Sequence, residues 1–195
     1  MQNSDIDRLK KLGSGYLLIE EMKRLSSDAS QGSEEASLIL ESMVQECTDP
    51  GYFEKNRAYC SSILNALAHS RTSRSMNELL KFVRKLPESM PYGAVDLIAG
   101  LLPLYRKIII APLREMVQND TSEIVRAIGL QTLCNMYMDG LLNSEDARFL
   151  KKILDTFSGD SYLTAPLAEL TRIALSNISF EYHDEEIFDD LLVEM

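Results

Sequence analysis

Tryptophan is absent from these 195 residues, histidine occurs twice and cysteine three times. Each shortage excludes something. Cys47, Cys60 and Cys134 are widely separated along the chain and lack CxxC-type spacing, so neither a disulfide framework nor a zinc site is predicted. Buried free thiols in a reducing cytosol are expected instead. His69 ends an apolar helical segment, where it suits the negative end of the helix dipole. His183 stands beside Asp184, Glu185 and Glu186, but adjacent positions on a helix diverge and no HExxH or HxxE spacing occurs. The chain has no G-x-S-x-G nucleophile elbow, and "GSG" at 13–15 follows no strand and precedes no Lys-Ser/Thr. No catalytic residue, metal site or cofactor is predicted, and the chain reads as a non-enzyme. No apolar run approaches the ~20 residues of a membrane span. The start "MQNSDIDRLKKLGSG" has no apolar h-region, so the expectation is a cytoplasmic protein without membrane contact.

Basic residues are also scarce. The net charge is −10, and "EYHDEEIFDDLLVEM" at 181–195 holds seven acids with no Lys or Arg. The other 180 residues carry 23 acids against 20 bases. Neither part has the clustered cations that nucleic acid requires, so nucleic acid is not expected as a partner.

What the chain does have is Leu, Met, Ala, Glu and Lys, all good helix formers. Caps and apolar spacing predict helices over 5–25, 33–47, 52–70, 73–85, 91–103, 121–138, 144–157 and 162–177, with a terminal one from 184. "SSDASQGS" at 26–33 reads as a linker and "TDPG" at 48–51 as a turn. Gly13 and Gly15 weaken the first helix, and Leu38, Leu40, Met43 and Val44 form the apolar side of the second. "KIIIAP" at 107–112 reads as a short strand or as the approach to a short helix opening at Pro112, the helix being preferred.

Helices rich in charge alternate with helices rich in apolar and small residues. Matching the last leucine of the latter set gives Leu67, Leu102, Leu133 and Leu175, spaced by 35, 31 and 42 residues. That is the length of one helical hairpin, and it predicts stacked helix pairs. In such a stack an inner helix keeps little wet surface, as the segment "NDTSEIVRAIGLQTLCNMYMDG" at 119–140 requires. An irregular helical bundle is the alternative.

"NDTSEIVRAIGLQTL" resembles the HEAT-repeat family, whose second helix opens with Asp and reads V-R-x-x-A-x-x-x-L. Asp120, Val125, Arg126 and Leu133 hold such positions, and Gly129 stands where Ala is usual. The resemblance implies an all-α, HEAT-like α-solenoid of about four to five antiparallel pairs. It also implies a structural ladder involving Asp120 and Arg126. The domain reading is one helical domain over 1–195, with an atypical cap at 1–50, repeats over 51–177 and an acidic capping helix or tail at 181–195.

A solenoid without catalytic groups points to protein–protein interaction on its concave surface. Ile124, Gln131, Asn135 and Met138 fall on one stripe of their helix, and Tyr92, Asp96, Asn65 and Arg172 are analogues on the other inner helices. A second candidate surface is the tail, where Ile187, Phe188, Leu191 and Leu192 share one face. The expected partner is another protein with a basic face, bound by a small acidic inhibitor of the immunity type. A structural or adaptor subunit of a larger assembly is the competing reading.

Overall fold

The computed structural model describes residues 8, 9, 11, 15–158 and 165–180, with 165 and 166 described by backbone alone. Every regular element among them is helical, so the all-α expectation holds. The chain divides into two compact units, Met1–Tyr105 and Arg106–Met195.

The first unit contains α1 (Tyr16–Ser30), α2 (Glu34–Val44), α3 (Pro50–Lys55), α4 (Arg57–His69), α5 (Ser73–Arg84) and α6 (Tyr92–Leu101). Short 3₁₀ turns follow α2 (Gln45–Thr48) and α6 (Leu102–Tyr105). α4 is its centre, packing against α1, α2, α3, α5, α6 and the second 3₁₀ turn. Tyr59, Cys60, Ile63, Leu64, Ala66, Leu67 and Ala68 are accordingly buried around much of its circumference. α1 and α2, from the region expected to be a cap, share this core with helices from the expected repeats.

Several local expectations are corrected. The linker at 26–33 is mostly helix. Met22, Leu25, Ser26 and Ala29 are buried at helical spacing, so packing overrides the weak helix preference of serine. α1 stops only at Gln31, before Gly32, whose φ of +93° few other residues adopt. "TDPG" starts a helix instead of making a turn. Asp49 caps it by accepting from Tyr52 N at 2.6 Å, and Pro50 sits in the first turn, where its missing N–H costs nothing. The helix expected over 52–70 breaks at Asn56, whose side chain competes for the Tyr52 carbonyl at 3.0 Å. Leu38 is exposed, and Ala36 and Ile39 take its place on the buried side of α2. Other signals hold: Ser33 caps α2, α5 begins at Ser73 and the α-helix ends just before Pro103, while the capping box of Thr72 and Ser75 is not among the sequence expectations.

The second unit contains α7 (Lys107–Asn119), α8 (Glu123–Met138), α9 (Ser144–Ser158) and α10 (Ala165–Asn177). "KIIIAP" is the first half of α7, with Pro112 inside the helix and not at its start. The bond that Pro112 cannot donate would go to Ile108, which lies on the solvent side. α8 packs against α7, α9 and α10. Those three neighbours explain why residues 124, 125, 127–134 and 136 are all buried. Arg126, half-buried among them, lays its guanidinium 4.8 Å from the Phe157 ring centre and donates to the Val117 carbonyl at 3.4 Å. Asp120 accepts from Ser122 N at 3.0 Å, at the start of the same helix.

Two buried acids make the fold sensitive to alkali. Burial pushes Tyr105 up to about 12, although its hydrogen bond with Ser75 pulls the other way, and pushes the Cys134 thiol to about 12. Both values lie above those of the unfolded chain, so the stability they carry is intact below about pH 9 and is lost as pH rises toward 12. The thermal midpoint followed by circular dichroism should therefore fall between pH 9 and 11.5, and less steeply in Tyr105→Phe. A midpoint unchanged across that range would mean that neither group is buried.

Candidate functional site

A groove of about 610 Å³ runs between α1 and α4 in the first unit. α1 supplies Ile19, Met22, Lys23, Ser26, Ser27 and Ser30, and α4 supplies Ser61, Ser62, Asn65, Ala66 and His69. The local cause is spacing. Ile19, Lys23, Ser26 and Ser30 recur every three or four residues, as do Ser61/Ser62, Asn65/Ala66 and His69, so each helix turns one narrow face to the groove. Most of these side chains are small. Beyond Ile19, which is 43% exposed, Tyr16 and Leu17 project into solvent at 72% and 67%.

The polar groups of the groove fall into two sets. Ser62 donates to the Ala58 carbonyl at 2.9 Å, Ser30 to Ser27 at 2.7 Å and the Asn65 amide to Ser61 at 2.8 Å. Lys23 pairs with Glu20 at 3.0 Å, which holds its ammonium above the ordinary lysine value. The second set is uncommitted. Among the described residues no hydrogen-bond partner is assigned to the hydroxyls of Ser26 and Ser61 or to the His69 imidazole. Among the described residues no carboxylate lines the groove, although that of Glu20 sits at its edge on Lys23. Small polar side chains therefore gather on a partly apolar surface, and Lys23 and His69 are the ionisable groups among its described lining residues.

Of the partner-binding residues read from the sequence, Asn65 lies in this groove, as does His69, which the sequence offered as a helix-end residue. Tyr92 and Asp96 are exposed on α6, outside the groove lining. In the second unit Ile124 and Gln131 are buried, Asn135 is half-buried and Met138 is exposed, so their stripe runs from interior to surface. Arg172 is exposed and gripped by Glu169 at 2.6 and 2.9 Å. Ile187, Phe188, Leu191 and Leu192, with His183 and the acids around it, lie outside the described residues. Reading 26–33 as a linker hides Ser26 and Ser30, although the Met22–Ser26–Ser30 spacing is a usable sign.

Cys47, Cys60 and Cys134 are free and buried. The fold brings two of them together. The Cys47 thiol donates to the Met43 carbonyl at 3.9 Å, and the interaction of the two thiols raises Cys47 well above the ordinary thiol value and lowers Cys60. Among the described residues no three metal-ligating side chains gather, and no helix is long and apolar enough to cross a membrane. Comparison with protein-family models, with curated proteins and with solved structures returned no match.

Proposed function

We propose that the chain is a non-catalytic protein-binding module acting as an adaptor, and that the α1–α4 groove is its docking surface. The observation that carries this reading is a preformed groove in which apolar Ile19 and Met22 lie beside small polar side chains. Such a surface can take up a partner's apolar side chains and satisfy polar groups without first unfolding. Buried free thiols fit a reducing compartment. The pairs α7–α8 and α9–α10 are compatible with successive HEAT-like hairpins, since α8 contacts both members of the next pair and Arg126 reaches across to Phe157.

The inhibitor reading, with a basic-faced target, draws on the acidic segment 181–195. The described lining of the groove is mostly small and apolar side chains, which favours the adaptor. The test is gentle purification of the tagged chain from its native host, followed by mass spectrometry. One companion at a stoichiometric level is the expected result. A folded, well-expressed sample that brings nothing down overturns stable partner binding.

A further inference from the structure

We infer that the acidic segment 181–195 docks within its own chain, on the exposed basic face of α9 formed by Arg148, Lys151 and Lys152.

The cations of this face lack counterparts. Arg148, Lys151 and Lys152 are all exposed and lie three and four residues apart, so their charges crowd one side of α9. Like charges at that spacing repel one another and weaken the helix that carries them. Elsewhere among the described residues Lys23, Arg24, Arg74, Lys81 and Arg172 each pair with a carboxylate. Among the described residues no carboxylate is assigned to Arg148, Lys151 or Lys152. Arg148 donates through Nε to the Ser144 carbonyl at 3.3 Å, and the Lys151 ammonium lies 5.8 Å from the Phe180 ring centre. Neither a carbonyl nor a ring carries the countercharge that these groups need. The acids of α9 itself do not supply it. Glu145 is turned to Arg114 at 3.1 Å, and no ion pair among the described residues joins Asp155 to Lys151 or Lys152.

The occupant follows from where the chain leads. Phe180 is held beside the same face, its ring centre 5.0 Å from that of Tyr137, whose hydroxyl donates to the Ser179 carbonyl. The chain thus arrives at Lys151 and continues as "EYHDEEIFDDLLVEM", with seven acids and no Lys or Arg. Asp184, Glu185 and Glu186 come four to six residues after Phe180. That separation reaches about 6–9 Å in a helix and up to about 20 Å when extended. Arg148 and Lys152 lie within about 5 Å of Lys151 along the α9 axis, so either conformation brings carboxylates to all three cations. Exposed ion pairs are weak one by one, but a tether holds the segment at high effective concentration and lets several act together. Docked in this way, the segment directs its charge into its own chain and away from a basic-faced target.

The experiment follows chymotryptic cleavage after Phe188 in the folded full-length chain, by mass spectrometry of timed samples. Each rate is taken relative to that of a free peptide with the same 181–195 sequence. In the parent, cleavage should be at least about tenfold slower than in the peptide, because docking shields the bond. Lys151→Glu/Lys152→Glu should remove most of that protection, with a thermal midpoint close to the parent's, since both positions are exposed. Asp184→Lys/Glu185→Lys/Glu186→Lys should do the same from the other side. Combining the two sets exchanges the signs of the pairs and should restore the protection. A parent cleaved as fast as the peptide, a lysine reversal without effect, or a combined variant as unprotected as either set alone overturns the inference. Protection that grows with chain concentration overturns it too, because the segment then docks on a second copy.

Discussion

Replacing Gly129 with leucine will cost about 3 kcal/mol or more of stability, at the upper end of what overpacking a core produces. The reason is the closeness of α7 to α8. A Cβ built on Gly129 would stand 2.9 Å from Val117 Cγ2, 3.2 Å from Met116 Cβ and 3.5 Å from the Leu113 carbonyl oxygen. Leu113, Met116 and Val117 are all fully or almost fully buried, so they have little room to give way. Alanine sets two effects against each other. It gains about 1 kcal/mol of helix preference over glycine and loses about 1–3 kcal/mol to the clash, so a net loss smaller than that of leucine is expected. Urea unfolding would show the midpoint falling modestly in Gly129→Ala and steeply in Gly129→Leu, with the slope unchanged. A leucine variant that unfolds at the parent midpoint would mean that the two helices do not pack this closely.

The same glycine shows how far the sequence can be read and where the reading stops. Val125, Arg126 and Leu133 suggest a buried helix by spacing alone, and α8 is buried as its apolar circumference requires. Gly129 stands out only as a departure from the usual Ala, because the cause of the departure is the surface of α7, which local pattern does not encode. Ser33 and Pro103 are legible because capping and proline chemistry act within a few residues. Ser26 and Pro112 mislead for the converse reason. Packing keeps a serine-rich stretch helical in α1 and tolerates a proline inside α7, against their local preferences. The groove is the least legible feature. It joins α1 to α4, more than thirty residues apart, and its small polar side chains resemble those of any solvated helix face.

In the folded protein Cys47 and Cys60 will react with a disulfide reagent such as Ellman's at least about 10³-fold more slowly than in the urea-unfolded chain, since reaction requires a rare opening of the core. Acidity alone predicts otherwise. The thiol of Cys60 is lowered by its interaction with Cys47, and a lowered thiol is ordinarily the faster nucleophile. Access decides against it, because both sulfurs sit on side chains with 0% exposure, one in the turn after α2 and the other inside α4. Opening the site means separating α4 from α2 and α3, which dismantles the centre of the first unit. The two thiols should therefore be labelled together and at nearly one rate. Cys134, at 7% exposure on a helix of the other unit and with its thiol raised by burial, should follow its own rate. Mass spectrometry of timed, quenched samples separates the three. Rapid labelling of Cys60 alone in native buffer would place that sulfur at the surface and detach it from Cys47. A shared slow rate for the pair, accelerating in step with urea, would identify the α2–α4 contact as part of the last structure to open.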